Sequence, residues 1–231
     1  MTMKNDPTAT GERQEMYRFL AGLFLRPPTA ALLALLGEGG AVALFPAEDE
    51  ASPSPWMREV STFCEEIKAM PDPVGEMEAE HTALFVLPSG VLPHEAVYVD
   101  EKKRLGGRVT MAVARFYEEA VIEMSGECIE MPDHLGMELE FMARLCGLEK
   151  LFREEADLIS SQVSLTLQKE FMNRHLGCWA RQCCEEVMNK AGYGFYRAVA
   201  QLTLAFLAAE EEYLGLRQTN KENWVWENAT A

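Results

Sequence analysis

The chain has 231 residues, which is enough for one large domain or two small ones. Its 37 acidic and 21 basic side chains give a net charge of −16, which repels nucleic acid and anionic lipid and favours a positively charged partner. No apolar run reaches the ~20 residues of a membrane span, and residues 1–11 are polar, unlike a signal peptide. We therefore expect a soluble, cytoplasmic protein without stable membrane insertion.

Helical periodicity begins near Glu12. Between residues 12 and 25 the apolar side chains recur at i, i+3, i+4, i+7 and i+8, which predicts an amphipathic helix that Pro27 and Pro28 end. Thr29 is a suitable N-cap for a second, short helix that extends to Leu36. Residues 37–55 are rich in Gly, Pro, Ser and acidic side chains and are predicted to form a loop. Two further helices are predicted at residues 56–70 and 74–86.

Residues 88–107 have no clear period and are a candidate hinge between an N-terminal and a C-terminal group of helices. Helical patterns resume afterwards, and residues 217–231 form a polar tail with two tryptophans, Trp224 and Trp226. We predict an all-α fold: a single domain of about nine to ten helices over residues 1–216, followed by this tail. The C-terminal helices are predicted at 109–124, from Pro132 onward, 148–174, 175–191 and 195–214.

The six cysteines contain no CxxC pair and lie mostly within helical patterns, which favours buried, reduced thiols over a zinc site or a disulfide framework. Motifs for common enzymes are also missing. A di-iron bundle needs two Glu-x-x-His units, and the chain has one, Glu78 and His81, so we interpret His81 as a surface histidine. No nucleotide-binding glycine motif is present.

The most informative stretch is residues 131–142. Pro132 and Asp133 suit a helix start, because proline loses no hydrogen bond at a first helical position and a carboxylate is favoured by the helix dipole. Asp133 and His134 would then be exposed at the mouth of a largely buried helix, with Glu138 one turn further on. From the residues alone, four interpretations of this stretch are open: an ordinary helix start, a pair of metal ligands, a general acid–base pair or a polar contact for a partner.

Several segments together resemble the TorD/DmsD-type chaperones of molybdoenzymes, which are related to NarJ and are also called redox enzyme maturation proteins. The resemblance extends over residues 15–214. The segments that carry it are 17–24 with Arg26-Pro27-Pro28, 80–86, 93–100, Pro132-Asp133-His134-Leu135 with 138–142, Phe171 with His175-Leu176 and Trp179, and 195–198 with 202–207. Two segments depart from the family pattern: His94 and Ala96 replace an aromatic residue and a serine, and Tyr193-Gly194 replaces His-Pro.

The resemblance implies a non-enzymatic cytoplasmic chaperone without a metal or cofactor of its own. It implies binding of the apoprotein of a molybdenum or tungsten oxidoreductase, through a twin-arginine signal peptide, until the cofactor is inserted. It also implies a monomer or a homodimer that swaps domains at the hinge. The family's peptide-binding residues carry over to Asp133 and His134 and to Pro93, Tyr98 and Asp100.

We expect the client peptide to lie between the hinge and the start of the Asp133 helix, and we include His94 and Glu138 in this site. A twin-arginine peptide is basic and then apolar, so it needs an acidic rim beside an apolar groove, which an acidic helical protein can supply. The alternative hypothesis is a metal- or nucleotide-dependent enzyme that uses Asp133, His134 and Glu138.

Overall fold

The structure, a computed structural model, describes residues 7–38, 53–120 and 130–216. Within these ranges all regular elements are helices, apart from one isolated antiparallel bridge between His94 and His134. The predicted all-α single domain is confirmed. In chain order the ten helices of the described ranges are α1 (Pro7–Leu25), α2 (Ala30–Gly37), α3 (Pro55–Ala69), α4 (Pro73–Phe85), α5 (Glu95–Val99), α6 (Arg108–Glu119), α7 (Leu135–Glu154), α8 (Leu158–Arg174), α9 (Leu176–Lys190) and α10 (Gly194–Leu214).

Helix α7 is the centre of the bundle. It packs along α1 on one side and along α8 on another, while α10 packs on α3 and α9. The start of α7 approaches α1 so closely that a Cβ atom on Gly136 would lie 2.5 Å from Leu25 Cγ. Because α1 and α3 precede residues 88–107 and α7 and α10 follow them, the two groups of helices interleave around one core. The role of residues 88–107 as a hinge stays a prediction.

Short polar caps explain where several helices begin. Thr29 accepts a hydrogen bond from the Leu32 amide at 3.2 Å, as predicted for the start of α2. Ser54 and Asp72 cap α3 and α4 in the same way, and each is followed by a proline at the first position of its helix. Local sequence therefore determines these three starts.

The prediction of one long helix over residues 148–174 is wrong. Helix α7 continues from Leu135 to Glu154, and a tight turn separates it from α8. Ala156 in this turn has a φ of 58°, and Asp157 accepts from the Ser160 amide at 3.0 Å, which caps α8. The apolar period continues on both sides of the turn, so the sequence pattern does not show the break.

Other predicted boundaries differ by a few residues. Helix α1 begins at Pro7 and not at Glu12, and α6 is described to Glu119. A short helix that the sequence pattern did not predict, α5, lies within residues 88–107. Residues 39–52 of the predicted loop lie outside the described residues. So do residues 121–129 and the tail with Trp224 and Trp226.

A buried ion network ties four helices together. The Arg13 guanidinium of α1 donates to Glu210 of α10 through Nε and Nη2, each at 2.7 Å, and to Gln168 of α8 at 2.7 Å. It also lies 3.3 Å from Glu149 of α7. All four residues are at most 7% exposed. Arg153 also pairs with Glu149 at 2.7 Å, so two guanidinium groups balance the two carboxylates, as buried charges require.

Among the described cysteines, Cys64, Cys146, Cys183 and Cys184 are buried and free, as predicted, whereas the free Cys178 is exposed. Cys128 lies outside the described residues. None of the described helices is by itself long and apolar enough to cross a membrane. The segments Thr10–Leu25 and Ala30–Gly37 meet that criterion only as a pair, and they are bent by 106°.

Candidate functional site

Two chain segments cross at the mouth of α7 and form the candidate site. The Glu95 amide donates to the Asp133 carbonyl and the Leu135 amide donates to the Pro93 carbonyl, each at 2.8 Å. This antiparallel pairing places the side chains of residues 94 and 134 on the same face. The His94 and His134 rings accordingly meet edge to face, with their centroids 5.1 Å apart.

His134, and not Pro132, defines the start of α7. The helix begins at Leu135, and the Nδ1 atom of His134 accepts a hydrogen bond from the Gly136 amide at 3.0 Å. The prediction that Pro132 and Asp133 begin the helix is therefore wrong. The N-cap is His134, whose side chain accepts a hydrogen bond from an amide of the first turn.

The same hydrogen bond determines the protonation of His134. An Nδ1 atom that accepts an amide proton leaves the ring proton on Nε2. Burial, and then the neighbouring His94, lower the pKa of His134 to about 3. His134 is therefore a neutral imidazole at physiological pH, and its Nε2–H is a hydrogen-bond donor.

Asp133 is fully buried beside these rings, so the predicted exposure of Asp133 and His134 is wrong: they are 0% and 4% exposed. The Asp133 Oδ2 atom accepts from the Ala96 amide at 3.1 Å, and its Oδ1 atom lies 3.8 Å from His94 Nδ1. Burial alone would raise the pKa of Asp133, but His94, the Ala96 amide and Thr110 outweigh it and leave the pKa below its usual value. Asp133 is therefore an ionised carboxylate that holds α5 against α7.

A second polar layer lies beneath this one. The Glu95 Oε2 atom is 3.0 Å from His175 Nδ1, and the Trp179 indole donates to Glu138 Oε2 at 3.1 Å. Burial and the nearby Glu95 carboxylate raise the pKa of Glu138 well above its usual value. Glu138 therefore belongs to the support of the site.

The remaining predicted residues lie around α5. Pro93 is buried and supplies a carbonyl to the crossing. Tyr98 is half-buried and stacks on Trp179 with the ring centroids 5.4 Å apart, while its hydroxyl donates to Glu186 at 3.2 Å. Asp100 ends α5, and its carboxylate accepts from the Lys102 amide at 2.8 Å within its own turn. The crossing thus unites His94, Asp133 and His134, whereas Asp100 lies at the edge.

A metal ion is a poor fit to this cluster. The potential ligand atoms of His94, Glu130 and His134 lie within 4.8 Å of one another. However, His134 can offer Nε2 to a metal only if its proton moves to Nδ1, which then faces the Gly136 amide donor. Metal binding would therefore abolish the N-cap of α7. Glu138 is fully buried, accepts from Trp179 and is not among these clustered ligand atoms, which does not favour the enzyme hypothesis that joined it to Asp133 and His134.

Sequence reasoning missed two residues that shape the site, Glu95 and its partner His175, which are 80 positions apart. An acidic residue within the largely apolar segment 93–99 could have indicated a buried partner. His81 was also misjudged: it is only 8% exposed, and its ring lies against Phe85 with the centroids 5.2 Å apart. Burial lowers the pKa of His81 as well.

Comparison with known proteins finds one matching family and several similar proteins that are named as chaperones. The sequence profile of the family described as nitrate reductase delta subunit matches residues 49–185. The chain is 26% identical over 209 residues to the chaperone protein TorD of Vibrio cholerae O395, a match that covers 88% of this chain and 92% of that protein. It is 23% identical over 224 residues to TorD of Vibrio atlanticus, covering 92% and 99%. It is 27% identical over 150 residues to TorD of Photobacterium profundum, covering 64% and 68%.

Proposed function

Because the chain belongs to the nitrate reductase delta subunit family, we propose that it is a maturation chaperone of a molybdenum or tungsten oxidoreductase. Its relatives are named chaperones and not enzymes, and their matches extend over most of both chains. In this role the protein binds the apo catalytic subunit in the cytoplasm and releases it after the cofactor has been inserted, before export.

We place the client segment along the crossing of residues 93–100 with the start of α7. The observation that supports this placement is that the crossing brings a neutral Nε2–H donor, His134, and an ionised carboxylate, Asp133, next to the same residue, His94. Their burial makes them a rigid frame. The half-buried Tyr98 offers the apolar contact for the peptide.

The net charge of −16 supports a basic client segment, because long-range attraction speeds the encounter of opposite charges. A twin-arginine signal peptide has this chemistry. The interleaved packing of the two helix groups is compatible with a monomer and with a homodimer that exchanges them at residues 88–107.

Co-purification tests the function. The tagged chain is isolated from its native host grown with molybdate, and the proteins bound to it are identified by mass spectrometry and analysed for metal. We expect one molybdoenzyme catalytic subunit that lacks molybdenum. Recovery of no molybdoenzyme, or only of the cofactor-loaded form, would contradict the proposal.

Substitution tests the placement. Asp133→Asn keeps an acceptor for the Ala96 amide but removes the charge, and His134→Ala removes the donor. We expect each variant to bind the recovered client at least about tenfold more weakly, which corresponds to about 1.4 kcal/mol. Asp72→Asn, at the distant α4 cap, is the control. If calorimetry shows unchanged affinity for both variants, the site lies elsewhere.

A further inference from the structure

A groove of about 680 Å³ separates α4 from the connection between α9 and α10. Its floor is apolar and consists of Ala79, Ala83 and Leu84, and two carboxylates of α4, Glu76 and Glu80, also line it. The ring of Tyr193 contributes a further part of the lining. The groove therefore combines an apolar floor, an aromatic ring and negative charge.

Tyr193 holds both carboxylates in position. Its amide donates to Glu80 Oε1 at 2.8 Å, and its hydroxyl donates to Glu76 Oε2 at 2.7 Å. The second oxygen of Glu80, Oε2, is buried and has no hydrogen-bond partner among the described residues. Burial raises the pKa of Glu80, whereas the Tyr193 and Gly192 amides and the nearby Arg197 act in the opposite direction and favour its carboxylate form.

The cation that lines the groove does not neutralise these carboxylates. The Lys190 ammonium donates instead to the backbone carbonyls of Ser89 and Gly90, at 3.2 and 2.7 Å. The groove therefore presents two fixed acceptors to a cationic ligand.

We propose that this groove binds an arginine side chain of the client segment. A guanidinium offers five donors in a plane, which suits two carboxylates, and its face stacks on an aromatic ring such as that of Tyr193. The three apolar floor residues accommodate the aliphatic stem. This assignment rests on the proposed function and names the chemistry of the client: an arginine followed by apolar residues.

The surroundings of the groove suit the rest of such a segment. Two large apolar side chains that directly follow α4, Val86 and Leu87, are 64% and 45% exposed. Gly90 lines the groove, and His94 of the crossing is four residues further along the chain, so the two places are at most about 14 Å apart. A client segment of a few extended residues is long enough to contact both.

Calorimetry with a defined peptide tests the proposal. The probe is a short synthetic peptide with Arg-Arg followed by leucines and alanines, together with Gln-Gln and Lys-Lys versions. The variant is Glu76→Gln with Glu80→Gln, which preserves acceptors for both Tyr193 bonds and removes the charge. The control is Glu78→Gln, which changes an exposed carboxylate on the same helix outside the groove.

We expect the double variant to bind the Arg-Arg peptide at least about tenfold more weakly, and the control within about twofold of the unmodified protein. The Gln-Gln peptide should bind weakly to the unmodified protein and to the double variant alike. Circular dichroism and Tm establish that the variants are folded.

Three results would overturn the proposal: equal affinity of the double variant and the unmodified protein, a Lys-Lys peptide that binds as tightly as the Arg-Arg peptide, or no binding of the Arg-Arg peptide at all. In each case binding of the apo catalytic subunit is measured separately. If that subunit still binds, the chaperone function stands and only the groove assignment fails. If it does not bind either, the proposed function fails with it.

Discussion

His134 has two roles at the level of a single residue: it caps α7, and it presents a donor at the candidate site. Both depend on a neutral ring, because protonation of Nδ1 would place two donors, Nδ1–H and the Gly136 amide, against each other. A histidine is an unusual N-cap, so the sequence alone does not predict that His134 caps α7. The sequence predicts a role in client binding for Asp133 and His134. Their burial and the direction of their hydrogen bonds could not be predicted, because both depend on the crossing segment.

The lowered pKa of His134 makes folding dependent on pH. The unfolded chain binds a proton at this residue below its ordinary pKa of 6.5, whereas the folded chain does so only near 3. The free energy of unfolding therefore falls as the pH decreases from 6.5 towards 3, by up to about 1.4 kcal/mol per pH unit from this group.

We predict that His134→Asn, which keeps a cap and removes the titration, loses about 2 kcal/mol less stability than the unmodified protein between pH 7 and pH 5. Urea unfolding at the two pH values measures this difference. Equal losses in the two proteins would show that His134 is not held neutral.

At the scale of helices, the contact between α1 and α7 depends on one glycine. A Cβ atom at Gly136 would meet Leu25 Cγ at 2.5 Å and the Ala21 carbonyl oxygen at 3.1 Å, whereas a Cβ atom at Gly22 of α1 would meet nothing within 4 Å. Substitution of these two glycines by alanine should therefore change stability in opposite directions, although both lie within helices.

We predict that Gly136→Ala destabilises the protein by about 1–3 kcal/mol through overpacking. Gly22→Ala, the control, should stabilise it by about 0.5–1 kcal/mol, because alanine loses less backbone entropy in a helix. Denaturant unfolding measures both. A Gly136→Ala protein as stable as the unmodified one would mean that the two helices are less closely packed than the structure has them.

Most helices could be predicted from sequence because their apolar period and their capping residues are local. Thr29 and the proline pairs mark helix ends directly. The break between α7 and α8 could not be seen, since one residue with positive φ, Ala156, turns the chain while the apolar residues continue on both sides. The burial of His81 and the pairing of Glu95 with His175 depend on contacts between distant segments, which no local pattern contains.

At the scale of the whole molecule, the Arg13 network joins α1, α7, α8 and α10 in the core. We predict that Arg13→Ala destabilises the protein by about 3–5 kcal/mol, because it leaves the Glu210 carboxylate buried without its partner. Addition of Glu210→Gln should recover part of this loss.

The control for this prediction is Arg18→Ala on the same helix. It removes an exposed pair with Glu15 and should cost less than about 1 kcal/mol. Thermal and urea unfolding compare the variants. An Arg13→Ala protein that loses no more stability than Arg18→Ala would refute a structural role for the network.

The central claim is that this helical protein recognises a molybdoenzyme before the cofactor is in place. The most direct measurement is the affinity of the purified chain for the apo and the cofactor-loaded forms of the catalytic subunit recovered from its host, determined by calorimetry. We predict that the apo form binds at least about tenfold more tightly. Equal affinity for the two forms, or binding of neither, would contradict it.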